Sequence, residues 1–273
     1  MPTTLRQALA ADRPLLGAWL QTPNVVTAEA AGFSGVDWVG IDTQHGLIGY
    51  DTLLHMLQAV AISGTPAVVR VSGNDAGEIG RALDSGAQGV IVPLIETAEQ
   101  AAQAAFACRY PPRGGRSWGA LRPTLSHPGY GPAFGDDYAV CFAMVETERG
   151  VDNIAEIARV PGVDVVYVGP SDLASSAGLP PQLALTDARH RTLVERIAAG
   201  CREAGTWCGI HPPSADVAWY WDQGFRMFPV HRDLPAYQEG LASAIQDATR
   251  SLGELALTTT SGTATGTGDR TND

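Results

Sequence analysis

Four cysteines are all that this chain of 273 residues contains, and no two of them form a C-x-x-C pair. Cys108, Cys141, Cys201 and Cys208 lie in or beside apolar segments, which suits buried free thiols rather than a zinc site or a disulfide framework. Positive charge is also scarce: 18 basic residues against 29 acidic ones leave a formal net charge of −11. Nucleic acid and anionic membrane both need cationic surface, so neither is expected as a partner. An anionic small molecule has to be held by a local device, an arginine or a metal ion. No apolar run approaches the ~20 residues of a membrane span. The opening MPTTLRQALAADRP lacks the cationic start, apolar middle and cleavage site of a secretory signal, and reads instead as a short amphipathic helix capped by Thr3 or Thr4. Reduced thiols and no signal together give the expectation of a cytoplasmic protein. G-x-x-x-x-G-K-[ST] and G-x-S-x-G are missing, so nucleotide hydrolysis and serine-hydrolase chemistry find no support.

What is present is a regular alternation. Apolar, β-branched runs stand at 15–21, 36–42, 66–71, 89–95, 139–146, 163–169, 206–211 and 225–230, separated by stretches of helical periodicity that end in Gly. Their continuous Val/Ile/Leu/Phe character fits parallel strands covered on both faces. Eight βα units in about 250 residues is the size of a (β/α)8 TIM barrel. The rival, a doubly wound open sheet, usually shows a Gly-rich turn after its first strand, where this chain has QTPN. The predicted organisation is one barrel domain over 1–257 and a low-complexity, disordered tail over 258–273. The Gly/Pro-rich connection at 110–137 is expected to be disordered or to form a functional loop over the site.

In a barrel, the residues just past the strand C-termini converge on one pocket. These are Trp19 to Gln21, Asp42 to His45, Arg70, Glu96, Glu146, Ser171 with Asp172, and His211. Glu146 and Asp172 are one βα repeat apart and should sit side by side. Two adjacent carboxylates repel unless they share a proton or a cation, and hard oxygen ligands suit Mg²⁺ or Mn²⁺. The plain alternative is that each caps a helix, through ETERG and PSDLASS. Asp42 and His45, in VDWVGIDTQHG, could form a dyad in which the carboxylate folds back onto the imidazole. Arg70 closes the apolar strand PAVVRVS, so it either pairs with Glu96 or Asp42 or faces a substrate carboxylate or enolate. Trp19 is either barrel-top packing or an apolar pocket wall. Arg113, Arg116 and Ser117 could bring a cation and N–H groups to an anion, though a solvated loop is as good a reading. His55, His127, His190 and His231 show no ligand spacing.

Taken together, DWVGIDTQHG, PAVVRV, GAQGVIVPLIETAEQA, RYPPRGGRSWG, MVETERGVDNIAEIA and VDVVYVGPSDLASSAG resemble the HpcH/HpaI aldolase family, the metal-dependent class II pyruvate aldolases. The resemblance runs from about residue 5 to 252. It implies a (β/α)8 barrel assembled as a hexamer, with the C-terminal helix exchanged between subunits, and a divalent metal, Mg²⁺, Mn²⁺ or Co²⁺. It assigns Glu146 and Asp172 as metal ligands, His45 with Asp42 as the base dyad, Arg70 as the group that stabilises a pyruvate enolate, and Trp19 as a pocket wall. Asp84 matches a carboxylate found in members on the same helix. The chain departs from the family at Met144, often Gln in members, and at His211 and the PVHRD run. The implied function is reversible aldol cleavage of 4-hydroxy-2-oxo acids to pyruvate and an aldehyde. The rival readings are a related lyase acting on a CoA thioester or another 2-oxo acid, and a non-catalytic metal-binding barrel.

Overall fold

The computed structural model describes residues 4–11, 13–183 and 186–261; the rest of the expected tail, 262–273, lies outside the described residues. Eight parallel strands close into one barrel in chain order, β1 (Leu15–Leu20), β2 (Trp38–Asp42), β3 (Ala67–Arg70), β4 (Gly89–Val92), β5 (Val140–Val145), β6 (Val165–Val168), β7 (Trp207–Ile210) and β8 (Met227–Arg232). The first seven each fall within their apolar runs, and β8 begins in its run and extends two residues past it. Closure leaves no sheet edge, which excludes the open doubly wound alternative.

Side chains alternate between two layers because successive Cβ atoms point to opposite faces. Leu15, Trp19, Trp38, Phe142, Tyr167 and Met227 point inward, whereas Leu20, Val39, Ile41, Val69 and Val90 pack against the helices. The two tryptophans fit because glycines lie beneath them. A Cβ added at Gly17 would stand 2.3 Å from Trp38, and one at Gly40 would stand 2.4 Å from Trp19. The helix Leu5–Ala10, held by a capping box between Thr4 and Gln7, places Leu5, Ala8 and Leu9 in the same inner cluster at the N-terminal end of the strands. All four cysteines are buried and unpaired by disulfides.

The long connection differs from the expectation. It contains two short helices, Leu121–Ser126 and Pro132–Tyr138, and leads from a helix end into the start of β5. That puts it at the N-terminal end of the barrel, away from the strand C-termini. It is tied down by the Asp136 carboxylate accepting the Tyr110 N–H at 2.7 Å and by contacts among Tyr110, Trp118, Tyr130 and Phe134. Neither the disordered loop nor the cover over the site is found.

The chain divides into two compact units, Met1–Asp233 and Leu234–Asp273. The second is built on the helix Asp233–Ser261, which continues through positions 258–261 of the expected tail. Its Leu234, Tyr237, Leu241 and Ile245 recur at helical spacing and are exposed. Among the described residues no helix is long and apolar enough to cross a membrane.

Candidate active site

The C-terminal ends of β1, β2 and β3 are joined through Asp42. This carboxylate, fully buried, accepts Arg70 Nε at 2.9 Å and Arg70 Nη2 at 2.5 Å, the Gln21 amide at 3.0 Å, and the backbone N–H groups of Gln44 and His45 at 3.1 and 3.2 Å. Burial alone would raise its pKa, but the Arg70 guanidinium, the His45 N–H and the Gln21 amide outweigh that and hold it below the usual carboxylate value. Arg70 is 8 % exposed and also lies over the Trp19 ring at 5.3 Å. Removing either partner of such a buried pair costs roughly 3–5 kcal/mol, because the other charge is stranded. Of the two expected partners for Arg70, the structure selects Asp42; Glu96 faces Arg149 at 3.4 Å.

The expected contact between the Asp42 carboxylate and the His45 imidazole is not formed. Arg70 takes that face of the carboxylate, and Asp42 reaches His45 through the backbone N–H instead. The turn is tight enough to need Gly46, where a Cβ would stand 2.1 Å from the Asp42 carbonyl oxygen. His45 is therefore held by its backbone and presents an exposed imidazole just past β2.

Glu146, just past β5, is 1 % exposed. Its Oε1 accepts the Leu94 N–H at 2.9 Å, while Oε2 is buried without a hydrogen-bond partner. Leu94 reaches that position with φ at 56°, a left-handed conformation uncommon outside glycine. Burial raises the Glu146 pKa to about 7, with a further contribution from the nearby Asp172 charge. The helix-cap alternative fails for both carboxylates. Thr147 caps Glu148–Asp152, and Asp172 is an exposed residue in the first turn of Pro170–Ser176, beside Ser171. Gly169 makes room for the pair: a Cβ there would lie 2.1 Å from Glu146 Oε2 and 2.7 Å from Met144 Cε. Met144 is buried in the inner cluster.

A desolvated carboxylate oxygen with no donor, next to a second carboxylate, is the arrangement that a divalent cation satisfies. Among the described residues no third His, Cys, Asp or Glu joins them.

His211 follows β7, the strand next to β6. Its Nδ1 lies 2.9 Å from the Tyr167 hydroxyl, and its ring meets Trp19 edge-on at 4.5 Å between centroids. Burial, with the positive charges of Arg70 and Arg232, pushes its pKa down to about 3.

Four sequence-based candidates, Asp84, Arg113, Arg116 and Ser117, fall elsewhere. Asp84 ends the helix Ala76–Asp84, and helices run antiparallel to the strands, so it sits at the N-terminal end of the barrel, where it pairs with Arg116 at 2.6 Å. Within the chain it does not meet His45. Arg113 pairs with Asp137 at 3.4 Å at that same end, and Ser117 lies beside Arg116. Gln21, Tyr167, Gly169 and Arg232 were not singled out for roles. Gln21 ends an apolar run, Arg232 lies in the PVHRD run and inward alternation along β6 marks Tyr167, but nothing local in the sequence marks Gly169.

The structure is thus a closed βα barrel with a carboxylate pair and a buried Arg–Asp pair at its C-terminal mouth. The HpcH/HpaI aldolase/citrate lyase family profile matches residues 15–232, and the chain belongs to this family. It is 36 % identical over 223 residues to a 2-dehydro-3,6-dideoxy-6-sulfogluconate aldolase of Pseudomonas putida, covering 80 % of this chain and 86 % of that one. It is 35 % identical over 248 residues to a 5-keto-4-deoxy-D-glucarate aldolase of Klebsiella pneumoniae, covering 87 % and 93 %. The solved structure of the citrate synthase SbnG superposes with a TM-score of 0.82 at 28 % identity, covering 91 % and 98 %. The chain is a carbon–carbon lyase of the aldolase class.

Proposed function

We propose that this protein catalyses the metal-dependent, reversible aldol cleavage of 4-hydroxy-2-oxo acids to pyruvate and an aldehyde. The observation that carries the reading is the unpartnered, buried Oε2 of Glu146 beside Asp172, at the same mouth as Arg70. Glu146 and Asp172 would hold a divalent ion, Mg²⁺, Mn²⁺ or Co²⁺, which when bound supplies Lewis acidity to the 2-oxo group.

The chain's own residues account for the rest. Arg70 uses two of its N–H groups on Asp42 and keeps others for the carboxylate and the developing enolate oxygen of the pyruvate half. Asp42 fixes that guanidinium in place. His45, exposed at the end of β2, takes the 4-hydroxyl proton, directly or through a water, as the C3–C4 bond breaks. Trp19, 2 % exposed over Gly40, walls the pocket. Met144 supplies an apolar contact where members often have Gln. Ser171, exposed in the first turn beside Asp172, is placed to donate to a substrate oxygen. An imine route is closed, because all 18 basic residues are arginine and the chain has no lysine.

The hexamer with an exchanged C-terminal helix belongs to the same proposal. It is supported by the exposed Leu234, Tyr237, Leu241 and Ile245 of that helix.

The test is cleavage of a 4-hydroxy-2-oxo acid followed by pyruvate release. Chelation should remove the activity, and Mg²⁺, Mn²⁺ or Co²⁺ should restore it. Activity that persists at full rate in excess chelator would sink the proposal.

A further inference from the structure

Tyr167 and His211 form a polar pair inside the barrel that the proposed reaction does not use. Tyr167 is fully buried, and among the described residues its hydroxyl has one hydrogen-bonding neighbour, His211 Nδ1 at 2.9 Å. The buried phenol has no other acceptor there, so the arrangement that leaves no O–H unsatisfied has the hydroxyl donating to Nδ1. A neutral imidazole that accepts at Nδ1 carries its proton on Nε2. Nε2 makes no hydrogen bond within the described residues. The ring thus presents one fixed N–H donor, held edge-on against Trp19 at 4.5 Å.

A second device lies on β8. Its register against β1 runs Leu15 with Met227, Leu16 with Phe228 and Gly17 with Pro229, then shifts to Ala18 with His231 and Trp19 with Arg232. Val230 is passed over, a β-bulge that inverts the alternation of the strand. Side-by-side residues of paired parallel strands share a face. Arg232 therefore stands on the face of Trp19, which looks into the barrel, instead of on the face packed against the helices. It makes no ion pair or hydrogen bond among the described residues, whereas Arg70 is neutralised by Asp42. Both groups adjoin Trp19: the His211 ring meets it edge-on at 4.5 Å, and Arg232 stands side by side with it in the register of β8 with β1.

We propose that the His211 Nε2–H and the Arg232 guanidinium together receive a carboxylate on the aldehyde half of the substrate, and so select aldehydes that carry a negative charge. This rests on the aldolase reading and names the specificity of that site. Tyr167 is a positioning residue, since it acts by fixing the His211 tautomer.

The experiment is addition of pyruvate to two matched pairs of aldehydes by the full-length enzyme: glyoxylate against glycolaldehyde, and succinic semialdehyde against butanal. The wild type should favour the charged member in kcat/KM by about 10- to 100-fold in at least one pair, the range expected for a charge-assisted contact. Arg232→Gln and His211→Leu should each bring the ratio toward unity. Tyr167→Phe should give an intermediate ratio, and His211→Gln, which keeps an N–H donor, should retain part of the preference. The ratio is internal to each variant, so a general loss of activity cancels. Should a variant fail to fold, salt dependence of the wild type serves instead: raised ionic strength should increase KM for the charged member and leave the neutral one in place. Equal kcat/KM within both pairs, or a ratio unmoved by both Arg232→Gln and His211→Leu, overturns the proposal. If the wild type turns over none of the four aldehydes, deuterium exchange into the pyruvate methyl group separates the two failures. Exchange without turnover overturns the specificity proposal alone, and no exchange overturns the aldolase reading with it.

Discussion

At Glu146 the two oxygens of one carboxylate have different surroundings: Oε1 accepts a backbone N–H, and Oε2 faces no donor. Holding that group ionised without a cation is unfavourable, which is why its pKa rises to about 7. A carboxyl whose folded pKa is raised contributes stability that is present below its unfolded value and is lost as the pH climbs through about 7. Glu146→Gln stays neutral at every pH. The metal-free variant should therefore be more stable than the metal-free wild type at pH 8, by roughly 2–3 kcal/mol, with the gap shrinking toward pH 5. Thermal unfolding in chelator at the two pH values reads this, and the same variant should lose metal binding. An unchanged melting temperature at pH 8 would show that the buried charge is compensated. Residue identities at this mouth were legible because Asp42, Arg70, Glu146 and Asp172 are polar groups ending apolar runs. Their partners were not. Spacing places Asp42 three positions before His45, but whether the carboxylate turns to the imidazole or to Arg70 depends on the register of β2 with β3, where Asp42 and Arg70 lie side by side.

The eight strands stood out in the sequence because parallel strands covered on both faces carry unbroken apolar runs. Irregular backbone left weaker marks. The Gly and Pro content of the connection at 110–137 suggests either disorder or a functional loop over the site, yet its aromatic side chains pack on one another and short helices form. Which end of the barrel it occupies follows from its leading from a helix into a strand. The bulge at Val230 has no signature beyond the unusual PVHRD run, and β8 extends two residues past its apolar stretch because of it. Gly169 shows how one element boundary controls the site. Its missing side chain lets the end of β6 pass beside Glu146, and a methyl there would stand 2.1 Å from Oε2. Gly169→Ala should therefore displace the carboxylate and weaken Mg²⁺ or Mn²⁺ binding by about tenfold or more, the range seen when groups that orient metal ligands are disturbed. Calorimetric titration with the metal checks this, and wild-type affinity in the variant would contradict it.

Across the barrel unit, closure gathers at one mouth residues that the chain separates widely, from Trp19 on β1 to Arg232 on β8. The arrangement divides charge by side. Glu146 and Asp172 supply a negative locus past β5 and β6, the Arg70–Asp42 pair is internally balanced, and Arg232 adds a cation beside Trp19. A 4-hydroxy-2-oxo acid bound across this mouth would have its pyruvate half between the carboxylate pair and Arg70. The other end of the barrel holds the Asp84–Arg116 pair and the N-terminal helix. The central claim is that this mouth makes a pyruvate enolate, and proton NMR of pyruvate in D₂O tests it most directly. The account predicts that the methyl signal decays in the presence of enzyme and Mg²⁺ and stops decaying when the metal is chelated. A methyl signal that persists at the background rate with saturating Mg²⁺ would contradict it.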